Sequence, residues 1–84
     1  MKYQLLINRN SQKFLALLEN KPANIIKNKI IELSDDPRPP GCKKLINREG
    51  WRLRVGTYRI IYDINDENKS ITILNIGFRK DIYR

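Results

Sequence analysis

The chain contains no histidine and one cysteine, Cys42. The first absence removes the commonest general base, the commonest metal ligand and every histidine-based catalytic triad. The second leaves no thiol pair for an intramolecular disulfide and makes a zinc site implausible. No cofactor or metal is therefore expected, and Cys42 reads as a small apolar residue in a reducing compartment. Apolar runs are also scarce. The amino-terminal stretch Met1 to Arg9 has too short an apolar run for a secretory signal, and nothing approaches the length of a membrane span. These absences point to a cytoplasmic protein without a membrane partner, whose chemistry would rest on Arg, Lys, Tyr and carboxylates.

Acidic residues are outnumbered, 9 against 17 Lys and Arg, for a formal charge of +8. Such a balance favours an anionic partner, namely nucleic acid, an acidic protein or an anionic surface, and does not choose among them. The 84 residues suffice for one small domain, 1–84, near the lower size at which a single core holds without metals or disulfides.

Hydrophobic patterning divides the chain into a helical half and a strand half. Lys2 to Asn8 reads as an opening strand, and Asn10 or Ser11 as the cap of a short helix, Gln12 to Glu19, with Phe14, Leu15, Leu17 and Leu18 as its apolar stripe. Pro22 suits the first turn of a second helix, Ala23 to Leu33, with Ile26, Ile30 and Leu33 on one side. Asp35 to Gly41 holds three of the four prolines and is a stiff connector. Beyond a polar turn from Asn47 to Gly50, strands are expected at Trp51 to Val55, Tyr58 to Ile64 and Ser70 to Ile76, the last apolar on both faces and so central, with Asn65 to Asn68 as the turn before it. The order β-α-α-β-β-β implies an α+β fold, an antiparallel-rich sheet with two amino-terminal helices on one face.

Trp51 to Arg59 is the most telling stretch. With Gly56 and Thr57 as a two-residue hairpin loop, Val55 lies opposite Tyr58, Arg54 opposite Arg59, Leu53 opposite Ile60 and Arg52 opposite Ile61. Leu53, Val55, Tyr58, Ile60, Tyr62 and Ile64 then share one apolar face beneath the helices, while Arg52, Arg54 and Arg59 converge on the other as a concave basic surface. Like charges facing each other across a ladder cost stability unless an anion or water offsets them. A bound polyanion is one explanation, and pairing with Asp63 or Glu49 is the structural alternative. Lys43 and Lys44 enter from the connector, where they could equally be a solvated turn. Lys2, Lys13, Lys27, Lys29 and Lys69 read as an ordinary charged surface. At the carboxyl end, Tyr83 near Arg79 is either a packing residue or a phenol able to stack on a base or exchange a proton.

Three runs together, Pro37 to Leu45, Trp51 to Tyr62 and Ile76 to Arg84, closely resemble the RelE/ParE superfamily of toxin-antitoxin toxins. In the RelE branch the resemblance implies a ribosome-dependent endonuclease that cleaves messenger RNA in the ribosomal A site. The ribose 2′-hydroxyl attacks the adjacent phosphate, leaving a cyclic phosphate and a free 5′-hydroxyl. It further implies catalytic roles for Arg54, Arg59, Arg79 and Tyr83, RNA contacts from Lys43, Lys44, Arg52, Lys80 and Arg84, no metal, and a cognate acidic antitoxin that covers the basic face. Guanidinium groups suit such a site because they hold the extra negative charge of the phosphorane without an imidazole. Two departures stand out. Arg52 and Arg54 replace the lysines of some relatives, and Phe78 stands where many carry histidine. Arginine stays protonated, so the general base is open among Tyr83, Lys43, Lys44 and Glu49. A ParE-like, non-enzymatic inhibitor of DNA gyrase and a plain nucleic-acid-binding module are the other readings.

Overall fold

Asn8 decides how the chain enters its helical half. The computed structural model describes residues 2–78, and in it a first strand, β1 (Gln4–Ile7), gives way directly to helix α1 (Arg9–Leu17). Asn8 lies between them in extended backbone, and its side chain accepts the Ser11 N–H at 2.9 Å. That places the cap earlier than Asn10 or Ser11, and Ser11 becomes a buried residue of the first turn. Helix α2 (Asn20–Leu33) follows with Pro22 in its first turn, and buries Ala23, Ile26, Ile30 and Leu33.

Four further strands follow among these residues: β2 (Lys43–Lys44), β3 (Trp51–Val55), β4 (Tyr58–Asn65) and β5 (Ser70–Phe78). The sheet order is β1-β5-β4-β3-β2, with β1 parallel to β5 and every other pair antiparallel. The architecture is the expected α+β arrangement with the helices on one face. The two-residue β2 was not anticipated. It pairs Lys43 with Arg52 and Lys44 with Trp51 along an edge of β3, and it begins only after a turn in which the Cys42 N–H donates to the Pro39 carbonyl.

The β3–β4 hairpin has the expected register, with Gly56 in the left-handed region (φ 61°) and Arg54 opposite Arg59. Strand β5 departs from simple alternation. Ile61 pairs with Asn75 but Tyr62 pairs with Ile73, so Leu74 is an extra residue, a β-bulge. The bulge turns Ile76 onto the same face as Ile71 and Ile73, and the face opposite carries Thr72 and a 39% exposed Leu74 instead of a second apolar layer. Asn8 ties this bulge to the helix, because its Nδ2 donates to the Leu74 carbonyl at 2.7 Å while its backbone N–H donates to Ile73. The core is thus Leu15, Ile26, Ile30 and Leu33 of the helices against Leu53, Val55, Ile60, Tyr62, Ile71, Ile73 and Ile76 of the sheet. None of the helices among the described residues is long and apolar enough to cross a membrane.

Candidate functional site

The sheet face away from the helices is organised as cross-strand rows, since residues opposite each other in a ladder share a side. One row runs Lys43, Arg52, Ile61, Asn75 and the next runs Arg54, Arg59, Gly77. The structure therefore brings Lys43, Arg52, Arg54 and Arg59 together on this face. Lys44 is not among them. The two-residue period turns it to the other side, where its Nζ lies 5.4 Å from the Trp51 ring.

Exposure within the group is uneven. Arg54 is exposed and Arg52 half-buried, but Arg59 is only 1% exposed and is the largest fully buried side chain. The expectation that Arg59 stands on an open basic surface is corrected here. Its neighbour along the strand, Ile61, is 2% exposed. The loop joining β2 to β3 reaches the same region, where Arg48 and Glu49 line a half-open cleft with Ile61, Asn75 and Gly77. Gly50 (φ 124°) makes this close approach of the loop to the sheet workable, since a Cβ there would fall 3.1 Å from the Leu45 side chain and 3.2 Å from the Tyr62 carbonyl oxygen. None of Arg52, Arg54 and Arg59 lacks an interaction partner. The Nε and Nη2 atoms of Arg59 are screened from solvent. A guanidinium held there presents a fixed charge in a medium of reduced dielectric, where its field on an adjacent anion is stronger than in water.

The cleft has a volume of about 540 Å³, and Phe14, Phe78 and Leu74 form the rest of its lining. Phe14 and Phe78 meet edge to face at 5.9 Å, and Tyr58 lies 5.2 Å from Phe78. Arg79, Lys80, Tyr83 and Arg84 lie outside the described residues.

A second polar cluster, not foreseen from the sequence, fixes the connector that delivers Lys43. Arg38 Nη2 lies 3.0 Å from Asp66 Oδ2, and Asp66 Oδ1 accepts the Tyr3 hydroxyl at 2.7 Å. The Arg38 guanidinium also stands 5.1 Å over the Trp51 ring. Arg38 and then Tyr3, each through a hydrogen bond, hold the Asp66 carboxyl below the usual carboxylate range. Nearby, the Tyr62 hydroxyl donates to the Pro37 carbonyl at 2.7 Å. Burial, followed by the Cys42 thiol, pushes that phenol far above its ordinary value, so it stays protonated. An arginine in a proline-rich segment and an acid in a distant turn carry no local signal of their pairing.

Both the sequence and the fold have known relatives. The family model described as the ParE toxin of the type II toxin-antitoxin system matches residues 8–83. Toxin RelG of Mycobacterium tuberculosis is 41% identical over 56 residues, a match covering 63% of this chain and 62% of RelG, which is less than two thirds of that relative. Among solved structures, the archaeal RelE-RelB complex from Pyrococcus horikoshii OT3 superposes with a TM-score of 0.84 at 28% identity, over 94% of this chain and 97% of that one. The isolated RelE toxin of E. coli shares the fold at 21% identity, with a TM-score of 0.78 over 96% and 90% of the two chains.

Proposed function

The chain belongs to the ParE toxin family of type II toxin-antitoxin systems, and from that premise we propose that it is a RelE-type toxin cleaving messenger RNA on the ribosome. The observation that carries this reading is the Arg54–Arg59 row, with one guanidinium exposed and its partner buried beside a cleft. A cation kept in a protein interior against its desolvation cost suits a task outside folding, and an RNA phosphate supplies the anion. In the proposed step the 2′-hydroxyl oxygen bonds to the adjacent phosphorus and loses its proton to a base. The 5′-oxygen leaves with a proton, giving the cyclic phosphate and a 5′-hydroxyl. Arg59 and Arg54 hold the charge that builds on the non-bridging oxygens, and Arg52 and Lys43 extend the basic surface along the RNA.

Arg79 and Tyr83 complete the site in this proposal, with Lys80 and Arg84 on the RNA backbone. Tyr83, Lys43 and Glu49 remain the candidate bases, since Lys44 faces the other side of the sheet. The ribosome would supply the alignment of message and toxin, a contribution for which orientation effects are large. Between episodes of activity an acidic antitoxin is proposed to cover the basic face, as the RelE-RelB complexes among the structural relatives suggest.

The test is to induce the chain in cells and map RNA 5′ ends on translated and untranslated messages. Cuts confined to translated messages are expected. Equal cleavage of naked RNA would remove the ribosome from the mechanism. No cleavage in a translating extract, together with inhibition of DNA gyrase, would favour the ParE-type activity.

A further inference from the structure

Strand β2 is two residues long, and its register decides which lysine joins the basic face. Lys43 pairs with Arg52 and so lies in the row of Ile61 and Asn75, while Lys44 pairs with Trp51 and lies on the side of Tyr62. A slip of one residue would exchange the two lysines, because the side-chain period of a strand is two. A strand this short has little ladder of its own to prevent that. The loop after it is closed by one backbone bond, from the Leu45 N–H to the Gly50 carbonyl at 2.9 Å. A second hold acts through the Trp51 ring. Lys44 Nζ lies 5.4 Å from its centroid and Arg38 Cζ 5.1 Å, so one indole attracts a cation from β2 and another from the connector before it. Arg38 is itself tied to Asp66 at 3.0 Å, and the adjacent Pro37 carbonyl accepts the hydroxyl of Tyr62, the register partner of Trp51. The connector is thus fastened at its start, and the ring holds its far end. With Lys44 over the ring, Lys43 is the lysine left to the basic face.

We infer that Trp51 is a positioning residue for the basic face: by keeping Lys44 over its ring, it holds β2 in the register that presents Lys43 to the RNA backbone. The inference rests on the RNA-cleaving function proposed above. Trp51 acts here without touching RNA, since the alternation of β3 turns it to the opposite side of the sheet from Arg52. Its effect on RNA is carried by Lys43 alone.

The test pairs two readouts. In the first, binding of a single-stranded RNA oligonucleotide methylated at every 2′-oxygen, which cannot be cut, is measured over a range of salt concentrations. Each phosphate contact to a single strand contributes about 0.7 to the slope of log affinity against log salt. Lys43→Ala should lower the slope by about that amount. Trp51→Leu keeps the apolar bulk and removes no charge, yet it should lower the slope nearly as far. Trp51→Phe should restore the parent slope, and Lys43→Ala added to Trp51→Leu should lower it no further. In the second readout, nuclear Overhauser effects between Lys43 and Arg52 report the register. They should be present in the parent and in Trp51→Phe, and largely lost in Trp51→Leu. Lys44→Met, at an exposed position where folding is not at risk, should lose them too. A parent-like slope in Trp51→Leu where Lys43→Ala lowers it would overturn the inference. So would Lys43–Arg52 contacts that survive in both Trp51→Leu and Lys44→Met, because any change in RNA binding would then come from elsewhere. An unchanged slope in Lys43→Ala, or no RNA binding by the parent, would instead count against the RNA-cleaving reading of this face, while lost contacts in Trp51→Leu would leave the register role standing.

Discussion

The two faces of the sheet alternate along the same strands yet are finished in different ways. On the helix side, Leu53, Val55, Ile60, Tyr62, Ile71 and Ile73 are all nearly inaccessible and close against helical residues. On the other side, exposure runs from buried Arg59 and Ile61 to exposed Arg54 and Lys43 within two adjacent rows. The first face is saturated by contacts within the chain, and its burial stabilises the fold through the hydrophobic effect. The second places a guanidinium in the interior, where desolvation opposes folding. One face is built for stability, and the other keeps charge in place at a cost to it.

The sharpest way to separate the faces is to damage the apolar one. Ile73, fully buried, pairs with both Ile7 and Tyr62. Ile73→Ala should destabilise the chain by about 4 kcal/mol through lost transfer energy and a cavity. Urea unfolding measures this, and a loss below about 1 kcal/mol would mean that this layer packs loosely.

The arginines should behave differently from the isoleucine and from one another. Arg54→Ala should leave the melting behaviour within about 0.5 kcal/mol of the parent, as for exposed positions in general. It should nevertheless lower cleavage about a hundredfold, on the order of 3 kcal/mol of transition-state stabilisation. Arg59→Ala should lose activity to at least the same degree and also lower the melting temperature, because its side chain fills buried space. Full toxicity from a folded Arg54→Ala variant would dissociate the basic face from the activity.

This difference between the arginines also marks where the sequence stopped being legible. Register depends on the hairpin loop and on alternation, both local, so the pairing of Arg54 with Arg59 was readable from Trp51 to Arg59. Exposure depends on what folds over the face. The loop bearing Arg48 and Glu49 has no periodicity to announce its path to the cleft it lines, and the burial of Arg59 has no local signal in the strand alternation. Likewise, Lys43 and Lys44 carried no register of their own in the connector, and only the two-residue strand β2, pairing them with Arg52 and Trp51, turns them to opposite faces. The bulge at Leu74 left no sign of its own in a run of apolar residues.

The bulge offers a milder test, at the seam between the helical layer and the sheet. Asn8→Ala removes both the helix cap and the donor to the Leu74 carbonyl, and should cost about 1–2 kcal/mol. Asn8→Asp keeps the acceptor for Ser11 and loses only the donor, so it should recover most of that loss. Identical stabilities for the two variants would show that the bond to the bulge, and not the cap, is what matters.

The smallest effect is expected at the Arg38–Asp66–Tyr3 cluster, which anchors the connector leading to Lys43 from outside either face. Asp66 has a folded-state pKa below its unfolded value. Its contribution is therefore present above the unfolded pKa and lost as pH falls through the folded one. Thermal melts of the parent should accordingly lose a little stability in acid that Asp66→Asn never had, so the two curves converge at low pH. Because both partners are exposed, added salt should shrink the difference at neutral pH as well. Arg38 contributes no pH dependence of its own, since its guanidinium stays charged throughout. A gap between parent and Asp66→Asn that persists unchanged in acid and in high salt would mean that Asp66 acts through hydrogen-bond geometry alone and not through its charge.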